Sequence, residues 1–415
     1  MIEVIEAVVG QRMKGVFIMK VKKLIALLAV LTMLVGMTAC SGRTEANEDS
    51  DMVDSKGQIA VGREGDVEVN EASEHLDAVE ASESGNWEAM FVPLDDETRN
   101  IDMLDFDLAP TEEELEAMKK EPYYDTPVKY MEFGGCSAGS NVADYMGYFE
   151  EAGVKVEGYK SDYYVEALGS NQAQVCISHI ATMLVPITNG VDIKFVGGAH
   201  LACKSLYALA DSPYKTTEDL KGTNVSVPNG IGASDYNITS LMLDDDGIDP
   251  AKDLTLVQVT ADACVAAMEN GEISAALLSD VYAYGLVKEG KLRCVSSMLD
   301  SDFSEIGICC AIAMNGTFVK ENPVIAKKMY QAIQKAHCYM REKLDDSVDM
   351  MLGRELLSGD REMNIMINRS QQYGLTPEFT EANLREIIRR YIRLGLIDQM
   401  DDEEAIMALC WNPVK

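Results

Sequence analysis

From Thr126 the chain alternates short β-rich runs with helical stretches, and nothing else in the sequence constrains its fold as strongly. VKYMEF, VKVEGY, QVCIS, IKFVGG, SLYALA, NVSVP, LTLVQV, SAALLS and LRCVSS read as strands. Between them, helices are expected over NVADYMGYFEEAG (ended by Gly153), over Asp162 to Leu168 and over His179 to Thr188. Four more should start near Thr217, Ala233, Ala261 and Val281. Strands separated by helices of ~10–15 residues build βαβ units, so the expectation is an α/β protein with mostly parallel sheets. From Pro323 the pattern turns helical, from Val324–Leu344 through Glu378–Leu396, which makes a helical C-terminal extension.

The N-terminal part has a different character. Lys20, Lys22 and Lys23 precede an apolar run from Leu24 to Gly36, and Met37-Thr38-Ala39-Cys40 follows. That run falls short of the ~20 residues a spanning helix needs, so it reads as a signal peptide. MTAC resembles the bacterial lipobox, which implies that Cys40 is lipidated and becomes the mature N-terminus. Several acyl chains on one residue hold a protein at a membrane where one chain binds only marginally. Residues 1–40 are thus expected to be a lipoprotein signal, with Met19 the better start because Glu3 and Glu6 do not suit a signal n-region. The expected location is extracytoplasmic, lipid-anchored to the cell membrane.

Residues 41–121 read as an acidic, largely disordered tether. Ser41 to Lys120 carries 24 acidic and six basic residues, more than half of the chain's net charge of −33. Ser41 to Gly85 buries too little apolar surface to offset its ordering entropy. Thr111-Glu112-Glu113-Glu114 forms a capping box that should start a short helix over 111–121. With no basic patch to neutralise phosphates, nucleic acid is not an expected partner.

Apart from Cys40 there are nine cysteines, an odd number in a large exported chain and no disulfide framework. Most lie in apolar runs such as QVCIS and GICCAIAM, where cysteine acts as a small hydrophobe. No C-x-x-C pair occurs, so spacing gives no zinc or redox signature, and neither metal nor cofactor is expected.

Four stretches carry a family resemblance. They are GYFEEAGVKVE (Gly147–Glu157), SNQAQVCISHIATMLVPITNGVDIKFVGG, TTEDLKGTNVSVPNGIGASDY (Thr216–Tyr236), and AALLSDVYA followed by KLRCVSS. The chain resembles solute-binding proteins of bacterial ABC importers, in the branch of nitrate, sulfonate and taurine binders and of thiamine-pyrimidine-precursor binders. D-L-K-G is the most specific element, and Gln172-Ala173-Gln174 departs from the branch's usual Gly-x-x-Asp run. The resemblance implies a two-lobed periplasmic-binding-protein (type II) fold. Lobe 1 would take residues 122–212 and 305–345, lobe 2 residues 213–304, and the helices of 346–415 would pack on lobe 1. The chain would cross between lobes near Ala210–Lys215 and Ser297–Ile308. The implied partners are a small-molecule solute, an ABC permease and its ATPase, with the chain itself a monomer.

Ligands of open α/β sheets bind beyond the carboxyl ends of the strands, where N–H groups at helix starts offer donors. Four such turns are rich in small polar residues. The first offers Cys136, Ser137, Ser140 and Asn141, and the second Ser178 and His179. The third offers Asn229, Ile231, Gly232, Ala233, Ser234 and Asp235, and the last Ser279, Asp280 and Tyr282. The serines also fit a plain role as helix N-caps. Between Glu121 and Ser304 the only arginine is Arg293, so a bidentate clamp on a carboxylate is not available there. Neutral donors suit a sulfonate or nitrate. Tyr163, Tyr164, Tyr236 and Tyr282 with Asp280 suit a thiamine-type pyrimidine. The residues leave both open.

Enzymatic readings stand beside this one. Gly135-Cys136-Ser137-Ala138-Gly139 is a literal G-x-S-x-G between a strand and a helix, which would make Ser137 the nucleophile of a serine hydrolase. Cys309-Cys310 echoes the cysteine-rich motif of thiamine-pyrimidine synthases with fewer cysteines. A surface lipoprotein with a vestigial cleft is the third alternative. The reading adopted is a solute-binding subunit and not an enzyme.

Overall fold

The computed structural model describes residues 74–94, 97–300, 307–397 and 400–414. The signal peptide, the start at Met19, Cys40 and the tether before Glu74 lie outside the described residues.

Among the described residues ten strands form two five-stranded sheets. The first contains β1 (Val128–Met131), β2 (Val156–Tyr159), β3 (Val175–His179), β4 (Ile193–Leu201) and β10 (Ile308–Asn315), in the order β2-β1-β3-β10-β4. The second contains β5 (Lys204–Leu209), β6 (Asn224–Ser226), β7 (Thr255–Val257), β8 (Ala275–Ser279) and β9 (Leu292–Ser297), in the order β7-β6-β8-β5-β9. All nine expected strands are present. The tenth, ICCAIAMN, was not among them: every residue of β10 is buried, so it shows none of the inside–outside alternation that marks a half-exposed strand. Within each sheet the neighbouring β-α-β strands run parallel, whereas β10 is antiparallel to β3 and β4, and β5 to β8 and β9.

β5 and β10 are the strands that the chain enters on passing from one sheet to the other. The first passage is only Ala202–Cys203, because β5 already pairs with β8 and β9 of the second sheet. This corrects the expected crossing at Ala210–Lys215 and moves Lys204–Leu209 out of the first lobe. SLYALA is an apolar run that either sheet could bury, so pairing alone decides its sheet. The second passage lies between Ser297 and Ile308.

Local signals act as the residues dictate. Thr111 and Glu114 make both bonds of the capping box, and the helix they start spans Glu112–Met118. Thr216 and Asp219 cap only a 3-10 turn, Thr217–Leu220, in place of the α-helix expected there. NVADYMGYFEEAG is split into Gly139–Tyr145 and Tyr148–Glu151 by Gly147, whose φ of 73° a helix interior cannot hold. In β4, Gly197 and Gly198 let two helices close on the sheet, since a Cβ at either would overlap the Tyr330 ring or the Thr380 hydroxyl.

Two segments differ from the sequence expectation. The stretch up to Gly85 was expected to be disordered, yet Ala78–Ser84 is a helix docked on the second sheet. Ala78 and Ala81 are fully buried, the Ala78 N–H donates to Asp300 (2.8 Å) and the Ser82 hydroxyl to Cys294 O (2.9 Å). Two alanines three apart give a small flat face that composition averages hide. The C-terminal helices pack on β4, as around Thr380, but they also reach the second lobe. From the helix Pro377–Arg393, Arg390 pairs with Asp245 (2.5 Å) and Arg393 with Asp244, both on the helix Ser234–Asp245. Among the described residues no helix is long and apolar enough to cross a membrane.

Candidate binding cleft

The carboxyl ends of β1, β3, β6 and β8 lead into the four turns singled out in the sequence, and residues around the first passage join two of those turns. On the first lobe, Ser137 lies beside β10, its Oγ 4.0 Å from Cys310 Sγ. His179 ends β3, with Nε2 3.7 Å from Cys203 Sγ, and Cys203 lies 3.2 Å from Cys309 Sγ. His200, on β4, is the register partner of Cys310. Cys136, His200 and Cys310 place their ligating atoms within 4.8 Å of one another, and so do His179, Cys203 and Cys309. The nine described cysteines carry free thiols.

On the second lobe, Lys204 opens β5 and pairs with Asp235 at the start of the helix Ser234–Asp245. Asp235 also accepts from the Asn229 N–H (3.0 Å), the Asn229 side-chain amide (3.2 Å) and the Ser234 hydroxyl (3.3 Å). Its carboxylate therefore fixes the loop Asn229–Asp235. Gly230 and Gly232, at φ of 97° and 79°, let this loop turn. Asp280 receives the Tyr207 hydroxyl (2.8 Å), and its N–H donates to Cys203 O (3.1 Å), which pins the first passage to the helix Asp280–Lys288. Across the lobes, the Asn237 amide donates to Ala181 O (2.8 Å).

The electrostatics follow from burial and from these partners. Burial, helped by the Lys204 cation, pushes the His179 imidazole down to about 4, so it is neutral near pH 7. Burial opposes the Lys204 charge, but Asp235 outweighs it and holds the ammonium above its usual range. Burial lifts the Asp280 carboxyl to about 6 although Ser205 and Tyr207 donate to it. Cys136 goes the other way: hydrogen bonds from Cys203 and Cys310 hold its thiol well below the ordinary range despite burial.

The remaining residues fall into three groups. Ser140 and Asn141 are buried in the helix Gly139–Tyr145, and Asn141 is used by the Phe133 N–H (3.2 Å). Ser178 is buried within β3, and the Ser279 hydroxyl caps its own helix by accepting from the Tyr282 N–H (3.3 Å). Ile231 and Gly232 are exposed, Ala233 is half-buried, and Tyr282 lines a groove of about 590 Å³ against Ser358–Met363. Ser137, His179, Asn229 and Asp235 are thus drawn toward the passage, and Ser140 and Tyr282 are not. Lys204, Cys203 and Tyr207 were not singled out; the first two lie at the passage whose position the sequence reading misplaced. The group within bonding reach of Ser137 Oγ is the Cys310 thiol, which is not the paired base of a nucleophile elbow.

The chain matches the family model described as NMT1/THI5 like over residues 137–346. Its fold is similar to that of the alkanesulfonate-binding protein SsuA from Xanthomonas axonopodis pv. citri bound to MOPS. The two are 14% identical with a TM-score of 0.54, covering 69% of this chain and 97% of that one. The aliphatic sulphonate binding protein SsuA from Escherichia coli is 16% identical, with a TM-score of 0.56 over 70% of this chain and 92% of its own. The nitrate-binding protein NrtA from Synechocystis PCC 6803 is 15% identical, with a TM-score of 0.52 over 69% and 85%. At these identities the similarity establishes the fold. No curated protein matches the sequence.

Proposed function

This chain belongs to the NMT1/THI5-like family, and on that premise we propose that it is the solute-binding subunit of an ABC importer. It captures a small polar solute between its lobes and delivers it to a permease and its ATPase. The observation that carries this reading is the pair of five-stranded sheets joined by two passages, with turns of both sheets meeting at the first passage. Solute that touches both lobes shifts the open–closed equilibrium toward the closed form, which docks on the permease. The solute is a sulfonate, nitrate or related anion, or a thiamine-precursor pyrimidine. The protein acts outside the cytoplasm as a monomer held to the membrane by lipid on Cys40, and it turns nothing over. Support for binding over hydrolysis comes from Ser137, whose neighbour is a thiol.

A thermal-shift screen of sulfonates, nitrate, pyrimidines and amino acids, with product analysis of every hit, tests this. A binder at about 100 times its dissociation constant adds ~2.7 kcal/mol. At an unfolding entropy of ~2.1 cal/mol/K per residue over roughly 340 residues, that raises the melting temperature by about 4 °C. A sulfonate, nitrate or pyrimidine hit recovered unchanged supports the reading. A flat response, or a chemically altered hit, refutes it.

A further inference from the structure

The cysteine–histidine cluster lies at the first passage, in the wall of the cleft read above as the solute site, and capture of a polar solute does not by itself call for its chemistry. We propose that Cys136, His200 and Cys310 bind a thiophilic d10 metal ion of the zinc class on the first-lobe wall of the cleft. The three come from separate elements: the turn after β1, the end of β4, and β10. The strand order β3-β10-β4 places Cys310 and His200 opposite each other in register, and Cys136 approaches both from the preceding turn.

His200 carries the argument. Its Nδ1 lies 2.8 Å from Leu201 O, so that nitrogen is the donor and the tautomer is fixed. Nε2, in a side chain with no solvent exposure, makes no hydrogen bond of ordinary geometry among the described residues and has the Cys136 thiol beside it. An imidazole held by a backbone carbonyl at one nitrogen and free at the other is the arrangement that metal-ligating histidines adopt. A buried polar atom left unmet otherwise only costs stability.

The neighbours of Nε2 are thiols, which select soft ions over magnesium or calcium. With metal–sulfur bonds of about 2.3 Å, tetrahedral ligands stand roughly 3.8 Å apart. The ligand atoms of this triad lie within 4.8 Å of one another, so they must draw together by about 1 Å to close on an ion. Thiolate is the ligating form, so binding an ion here releases the thiol protons. All three ligands belong to the first sheet or its turn, so the ion stays bound whether the lobes are open or closed.

The test uses the full chain, purified under reductant, stripped with a chelator and given cobalt(II) as a spectroscopic stand-in, with no solute added. One cobalt per chain is expected, with a thiolate-to-cobalt charge-transfer band and the visible bands of a tetrahedral site, both displaced by zinc. His200→Ala and Cys310→Ala should each weaken the ion at least tenfold, whereas Cys264→Ala, a buried thiol of the second lobe, should not. Circular dichroism melts check that each variant folds, and His200→Gln carries the test where Cys310→Ala does not fold. No charge-transfer band in the wild-type chain overturns the proposal. So does a band that survives in a folded His200 variant. A band that depends on His179 and Cys309 but not on His200 moves the ion to the neighbouring triad and overturns this assignment.

Discussion

Replacing Lys204 by methionine keeps the length of the side chain and removes its charge, leaving the Asp235 carboxylate buried at 1% exposure with only neutral donors around it. Both partners are shielded, with side-chain exposures of 12% and 2%, so solvent screening cannot rescue the orphaned charge. Breaking such a pair from one side costs ~3–5 kcal/mol, far above the ~0–1 kcal/mol of an exposed ion pair. With an unfolding entropy of about 0.7 kcal/mol/K for a unit of roughly 340 residues, the melting temperature should fall by about 4–7 °C. Adding Asp235→Asn removes the orphaned charge and keeps the acceptor oxygen for the Asn229 N–H. The double variant should therefore recover most of the loss. Differential scanning calorimetry of the four proteins of the cycle, at one pH and protein concentration, measures both effects. Lys204→Met melting within a degree of wild type, or a double variant no more stable than the single one, would refute the claim that this pair anchors the loop.

Other outcomes follow from the same geometry. Gly232 sits at φ 79° with open space where a Cβ would lie, so Gly232→Val acts through backbone strain of ~1–2 kcal/mol and not through a clash. Solute affinity should drop roughly tenfold, and unchanged titration calorimetry would exclude the loop from the site. Asp280, lifted to about 6 by burial, binds more protons folded than unfolded between about pH 4 and 6. Its contribution to stability therefore declines as pH rises through that window, and Asp280→Asn should flatten the slope in melts across it. Arg390→Ala combined with Arg393→Ala removes the ion pairs to Asp244 and Asp245, which should ease lobe opening and speed solute release in stopped-flow. An unchanged release rate would show that the C-terminal helix does not restrain the lobes.

The strands announced themselves where one face alternates or where glycine and polar turns frame an apolar run, as at VKYMEF and LRCVSS. β10 did not, because burial on both faces erases the alternation. The helix Ala78–Ser84 was hidden for a related reason: its two buried alanines are a minor signal inside a strongly acidic stretch. The turns Cys136–Asn141 and Asn229–Asp235 were legible from their small polar residues at strand ends. Lys204 was not, since a lone cation opening an apolar run carries no spacing pattern. Its meaning appears only once Ala202–Cys203 is seen to be the passage. The cysteine cluster was illegible for the same reason. Its members come from four separate stretches, and the sheet order alone brings them together.

Native mass spectrometry of the chain with the sulfonate, nitrate and pyrimidine panel measures solute capture most directly. The account predicts one solute per chain, held noncovalently and released with unchanged mass, with occupancy reduced in Gly232→Val. No bound species from the panel, or a product of altered mass, would contradict it.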